Sequence, residues 1–382
     1  MIKSNQENQP VILQVLPELE MGGVEIGTTE IAEALCARGI KNFVASKGGR
    51  LVHELEKLNV PHFTFDLKTK NPIKMYLNSK ELEKIIVENQ INIVHARSRA
   101  PAWSAYWAAK RAGVHFMTTY HGTYGLGFLG IKKLYNRVMT YGERVIAISN
   151  HIKNHLLKNY KVDPDKIRLV HRCVNITRFN PDSVTQARKI NMVTDYNIPD
   201  DKPVILLGGR ITSWKGQHLL IKALAKMKIQ DFYCIIAGDD QGREAYLKYL
   251  KNLAQKYNLT SKIGFYGKVL DMPALMSVSS VIVSAAIEPE AFGRISVEGQ
   301  AMGKIVVASN IGGSLDTIED GVNGKLFESN NAYSLAEALD WALTRTEKER
   351  AKIAEAGFKN VRENFTKEIM CDKTIAVYQE LV

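Results

Sequence analysis

Short apolar runs alternate with amphipathic stretches along the whole of this 382-residue chain, and that rhythm restricts the fold more than any single residue does. Apolar runs without polar alternation are strands buried on both faces. Separated by helical segments, such strands form a parallel sheet covered on both sides. Candidate strands fall at 11–16, 43–46, 63–65, 91–95, 116–120 and 145–149 in the first half. In the second they fall at 204–208, 232–237, 263–266, 281–284, 305–308 and 325–327. Six per half predicts two similar α/β domains, and the length is too great for one ordinary core. The stretch 173–203 lacks clear periodicity and carries Pro181, Asn191, Pro199 and Asp200-Asp201. The connection is placed near its start, giving domains of residues 1–178 and 179–365. The run 366–382 reads as a helix, with Thr366 as N-cap and Glu368 in the first turn.

An apolar content of 45% with 24% charged residues is that of a soluble globular protein. No apolar run approaches the ~18–20 residues that span a bilayer. The polar residues 1–6 lack a signal peptide's apolar region, so cytoplasmic residence is expected. Cys36, Cys173, Cys234 and Cys371 are scattered, with no redox or metal spacing. Residues 1–180 hold 26 Lys and Arg against 15 Asp and Glu, while residues 181–382 hold 25 of each. The net charge of +11 therefore lies in the first half, which points to an anionic partner: a membrane surface, a phosphorylated lipid or a nucleic acid.

The chemistry-bearing residues gather where strands end. Strand 204–208 runs into Gly208-Gly209-Arg210 and then Ser213-Trp214-Lys215-Gly216. Glycines there bring backbone close to a ligand, Arg210 can grip phosphate oxygens in bidentate fashion, and Lys215 acts as a point charge. Strand 281–284 leads into Glu288-Pro289-Glu290-Ala291-Phe292-Gly293-Arg294-Ile295-Ser296-Val297-Glu298, a polar loop that opens a helix whose free N–H groups suit an anion. Paired carboxylates such as Glu290 and Glu298 invite a glycosidase comparison. Were the intervening residues all helical, eight steps would separate the backbones by ~12 Å, whereas a retaining nucleophile and acid lie only ~5 Å apart. Separate binding tasks fit better. In the first half Gly22-Gly23 precedes a helix without the dinucleotide fingerprint. His95 and Arg97, after Ile91-Asn92-Ile93-Val94, sit at a strand end and are candidates for an acceptor pocket. His151 and His155 have metal-like spacing but lack the zincin glutamate, Ile152 standing in its place, and read as a solvated helix face. In the segment 125–144, Ile131, Leu134, Tyr135 and Val138 form an apolar stripe flanked by Lys132, Lys133, Asn136 and Arg137, which suits either an interfacial helix or a core helix.

The Glu290–Glu298 segment resembles the signature of retaining nucleotide-sugar glycosyltransferases of family 4. Gly22-Gly23, His121-Gly122, Arg210, Lys215, Glu290 and Glu298 stand in that family's order over nearly the whole chain. The resemblance implies a GT-B fold: two facing Rossmann-like, doubly wound parallel-sheet domains with a cleft between them. The first would bind acceptor, the second donor, and the last helix would cross back to the first. It implies a metal-independent, retaining, hexosyltransferase-type enzyme with a nucleotide-diphospho-sugar as co-substrate and no cofactor. By the same resemblance Arg210 and Lys215 hold the diphosphate, Glu290 contacts sugar hydroxyls and Glu298 the ribose. The amides of Phe292, Gly293 and Arg294 face sugar and phosphate, the backbone around Val269 reads the base, and Gly238 lies near the donor. Gly22 and Gly23 lie beneath the sugar, and His121 faces it. The wording is most similar to bacterial envelope and lipopolysaccharide-core enzymes, which implies a lipid-linked or glycolipid acceptor and no nucleic-acid partner. Gly299 replaces the family's usual Ala. Two other readings stay open at this level: a GT-B sugar-nucleotide epimerase, and a non-catalytic binder of anionic polymers.

Overall fold

The computed structural model describes residues 9–20, 22–125 and 131–382. The chain divides into two units, one running to His171 and including Glu368–Val382, the other spanning Arg172–Lys367. The first holds seven strands among its described residues: β1 (Ile12–Val15), β2 (Asn42–Ser46), β3 (His62–Thr64), β4 (Ile93–Ala96), β5 (His115–Tyr120), β6 (Arg144–Ala147) and β7 (Ile167–Leu169). They pair in parallel in the order β3-β2-β1-β4-β5-β6-β7. The second holds β8 (Val204–Gly208), β9 (Tyr233–Ala237), β10 (Ile263–Tyr266), β11 (Val281–Ser284), β12 (Ile305–Ser309) and β13 (Lys325–Phe327). These are parallel in the order β10-β9-β8-β11-β12-β13. Each unit is thus a Rossmann-like α/β sheet that grows outward on both sides of its first strand. The order reverses at β1/β4 and at β8/β11, and the carboxyl ends beside such a reversal are where doubly wound sheets take ligands.

The central strands contain no exposed apolar residue. Ile12, Leu13, Val15, Ile205, Leu206, Val281 and Val283 have no solvent exposure, as burial on both faces requires. Two elements escape the periodicity argument. Strand β7 is three residues long with Arg168 at its centre, which breaks the apolar run. A helix, Gln186–Asp195, occupies part of the aperiodic stretch. Only Met192 of it is buried, so it presents no stripe to read, and Thr185 caps it by accepting from the Arg188 N–H.

The final helix is Lys367–Gln379. Within the first unit Tyr378 is buried and its hydroxyl lies 2.7 Å from His95 Nδ1, while His95 Nε2 lies 2.7 Å from Thr119 Oγ1. Burial, with the Arg97 charge as a second cause, holds His95 well below the ordinary imidazole range, so it is a neutral link between helix and sheet. Beyond it Glu380 receives Arg144 and Arg168, each at 2.6 Å.

Gly299 lies on the helix Arg294–Ala301, where a Cβ would sit 2.9 Å from Val306 Cγ2 and 3.2 Å from Ile282 Cβ. Close packing on β11 and β12 accounts for the glycine. Gly299→Ala is expected to lower stability by about 1 kcal/mol, the overpacking cost exceeding the helix-propensity gain. A lower urea midpoint at unchanged m-value is the expected reading. A raised midpoint would mean that the two strands yield.

Candidate active site

The second unit builds its site at the β8/β11 reversal. At the end of β8, Gly209 has φ 149°, a region that favours glycine, and its N–H donates to Ala237 O at 2.8 Å. A Cβ on Gly238 would stand 1.8 Å from Gly209 O, so the ends of β8 and β9 touch through backbone alone. The exposed Arg210 follows, its guanidinium 5.8 Å from the Trp214 ring centre. A short 3-10 turn, Ser213–Lys215, then leads to Gly216. With φ 73° and an imagined Cβ only 1.8 Å from Ala285 O, Gly216 presses this turn onto the loop after β11. Trp214 O accepts from the Ile287 N–H at 2.9 Å. Lys215 is thereby held with its Nζ 2.7 Å from Glu290 Oε1, the two side chains only 16% and 12% exposed.

Glu290 lies in the loop that follows β11. Gly313 N–H donates to Glu290 O at 2.8 Å, and side chains on Gly312 or Gly313 would collide with the backbone of Glu290 and Phe292. The helix begins only at Arg294, behind Gly293 at φ 82°, so the all-helical spacing between the two glutamates is not the one adopted. The turn at Gly293 reorients the chain. Glu298 is 12% exposed and pairs with Arg294 at 2.9 Å. Burial raises its carboxyl, opposed first by the charge of Arg294, then by Arg178 and least by Lys215. Four buried polar atoms here (Thr212 Oγ1, Gln217 Oε1, Arg294 Nε and Ser296 Oγ) have no hydrogen-bond partner among the described residues. Buried polar groups are nearly always satisfied, so these four are unused capacity for a polar ligand. Cations, buried carboxylates and open donors and acceptors are the equipment for a phosphate and its attached polyol.

Of the remaining second-unit candidates, Gly238 N–H is shared between Tyr266 O and Gly267 O at 3.0 and 3.1 Å, which ties the ends of β9 and β10. Val269 is 9% exposed on the loop beyond. Phe292 is buried and packs edge-on against Phe365, 5.6 Å between ring centres, so its side chain serves the unit's interior. Sequence reasoning missed Arg178. Its Nη2 donates to Leu270 O at 3.3 Å, and its charge acts on Glu298. The usable signal was its position beside Phe179 at the head of the aperiodic stretch.

In the first unit the candidates are more dispersed. Gly22 N-caps the helix Gly23–Cys36 after β1. His121 follows β5 and is half-buried. His95, within β4, and Arg97, just after it, are interior, 0% and 2% exposed. A ligand could reach the His95 ring nitrogens only by displacing Tyr378 or Thr119. The apolar stripe does not form one face. The helix is Ile131–Asn136 followed by a 3-10 turn, Arg137–Thr140. Val138 is buried, Leu134 is 64% exposed, and the supposedly outward Asn136 is buried, donating to Gly125 O at 3.3 Å. Residues 126–130 of that segment lie outside the described residues. His155 is not on a solvated face either: it stands between Tyr120 and Tyr160, 6.0 and 5.8 Å from their ring centres.

Residues 21–178 match the model described as Glycosyltransferase Family 4, and residues 189–360 the model described as Glycosyl transferases group 1. A glycosyltransferase structure from Rickettsia africae ESF-5 is 41% identical, covers 98% of this chain and 99% of its own, and superposes with a TM-score of 0.90. The chain belongs to the glycosyltransferases of GT-B type. Anabaena HepE, solved in complex with UDP, shares the fold at 22% identity with a TM-score of 0.84, covering 97% of this chain and 100% of its own. An uncharacterized glycosyltransferase of Methanocaldococcus jannaschii is 28% identical over 240 residues, 62% of this chain. The chain spans 60% of the length of the first curated relatives it matches. Among the described residues no helix is long and apolar enough to cross a membrane.

Proposed function

We propose that this chain transfers a hexosyl group from a nucleotide-diphospho-sugar to an envelope glycolipid or lipopolysaccharide-core acceptor, with retention of anomeric configuration and without a metal. The observation that carries the reading is the buried Lys215–Glu290 pair at the β8/β11 reversal, with Arg210 beside it and unsatisfied polar atoms around it. Arg210 and Lys215 neutralise the diphosphate as it departs, a preorganised electrostatic role worth several kcal/mol. Glu290 accepts from sugar hydroxyls and Glu298 from the ribose. The backbone of Phe292, Gly293 and Arg294 faces sugar and phosphate, and Gly238 and the segment around Val269 border the nucleoside; Gly22, Gly23 and His121 are the first unit's own candidate residues for a sugar. In the transfer step the acceptor hydroxyl oxygen bonds to the anomeric carbon on the face the diphosphate leaves. The carbon–oxygen bond to phosphate breaks with its electron pair on the phosphate, whose oxygen takes the acceptor's proton. No side-chain nucleophile is required. HepE's bound UDP supports a uridine donor as the first choice. The basic first half and the exposed Lys132, Lys133, Leu134 and Arg137 support peripheral contact with an anionic membrane, read out as salt-sensitive sedimentation with anionic vesicles.

Thermal stability against a panel of nucleoside diphosphates tests the donor site. A ligand at 100 times its Kd adds about 2.7 kcal/mol. One base is expected to raise Tm, with the shift diminished in Glu298→Ala. No shift with any nucleotide would remove the transferase reading, and turnover of the donor without acceptor would favour the epimerase.

A further inference from the structure

Between residues 97 and 172 the chain carries 14 Lys and Arg against 3 Asp and Glu, and the first unit folds part of this segment around a group of phenols. Tyr120 closes β5, and Tyr124 follows with ring centres 4.5 Å apart. The guanidinium of Arg99, the first residue of the helix after β4, lies 4.7 Å from the Tyr124 ring centre. From the helix after β6, Tyr160 comes to 6.0 Å of Tyr120, with His155 between them. The exposed Lys133 stands 6.0 Å from the Tyr160 ring centre. Arg99, Tyr120 and Tyr124 lie at or just beyond the carboxyl ends of β4 and β5, the ligand side of such a sheet, and Tyr160 meets them through Tyr120.

Two features distinguish this group from an ordinary aromatic core. Neither Arg99 nor Lys133 pairs with a carboxylate among the described residues. Among the described residues the only side-chain acceptor within reach of Arg99 is Asn136 Oδ1, at 3.4 Å. Secondly, the buried hydroxyls of Tyr120 and Tyr160 have no partner beyond each other among the described residues, and the Tyr135 hydroxyl and His155 Nε2 are likewise buried and unpartnered there. Burial pushes the Tyr124 phenol up to about 12 and raises Tyr120 further, so these phenols stay protonated donors. A cation without a counter-ion beside several unused O–H donors is a site for an anion.

We propose that Arg99, Lys133, Tyr120 and Tyr160 form an acceptor subsite for the anionic substituent, phosphate or carboxylate, of an acidic sugar. Its role as an acceptor site rests on the transferase reading, but its anion binding does not. Glucose 6-phosphate, glucuronate and glucose serve as probes, titrated against the full chain by calorimetry. At least one acidic probe is expected to bind about tenfold tighter than glucose, and which one distinguishes phosphate from carboxylate. Tyr160→Phe, which removes a single oxygen, should weaken it about fivefold at unchanged Tm, and Arg99→Gln about tenfold or more. Lys256→Gln, at an exposed position that ends the helix Glu244–Lys256, should leave it unchanged. Equal binding of glucose and both acidic probes, or affinities indifferent to Tyr160→Phe and Arg99→Gln, would overturn the subsite. Acidic probes that bind normally while no nucleoside diphosphate binds would uphold the anion site and defeat the transferase reading instead.

Discussion

Lys215→Ala is expected to lower kcat/KM for sugar transfer, or for slow donor hydrolysis before an acceptor is in hand, by about 10²–10³-fold. Two effects combine. The variant loses the ammonium that meets charge developing on the departing phosphate, and it strands Glu290, a carboxylate only 12% exposed. Breaking one side of a buried pair costs about 3–5 kcal/mol because the remaining charge is uncompensated, so stability should fall as well. The two contributions can be separated. Adding Glu290→Gln to Lys215→Ala removes the stranded charge, and the double variant should regain stability without regaining turnover. Were Lys215→Ala as stable and as active as the parent, the pair would be an incidental contact and the site would lie elsewhere.

Gly216→Ala is expected to be the most damaging single methyl addition in the second unit, costing at least about 3 kcal/mol. The positive φ alone costs a non-glycine residue about 1–2 kcal/mol. The added carbon would meet Ala285 O at 1.8 Å, which forces the Lys215 turn away from the loop after β11. Gly113→Ala is the matched control: φ 69° with nothing within 4 Å of the new carbon, hence only the conformational cost. Denaturant unfolding should show Gly216→Ala costing at least about 1–2 kcal/mol more than Gly113→Ala. Similar losses would show that the Ala285 loop moves aside, and that the turn is less firmly held than its backbone contacts imply.

The strands that carry the site were legible because β8, β11 and their neighbours are buried on both faces and contain little else but apolar residues. The site's order along the chain was legible for the same reason: Arg210, Lys215, Glu290 and Glu298 follow recognisable strand ends. What escaped depends on three-dimensional reversal. The turn at Gly293 replaces the helical spacing assumed between the glutamates, and no local pattern says that Lys215 reaches Glu290 from 75 residues away. Arg178 and the helix Gln186–Asp195 were hidden in a stretch whose exposed faces leave no periodicity. His155 illustrates the converse: its spacing from His151 is visible in sequence, but its aromatic neighbours come from β5 and the end of its own helix.

The closing helix carries a temporal consequence. Tyr378 and Glu380 supply buried and paired contacts to β4, β6 and β7, so the first unit's interior includes residues that leave the ribosome after the whole second unit. N-terminal domains generally fold first during synthesis, yet here that order cannot run to completion. The second unit, Arg172–Lys367, is contiguous and can close as soon as it emerges. The earlier unit must wait with its β4–β7 flank uncovered, a period in which a chaperone would find its apolar edge.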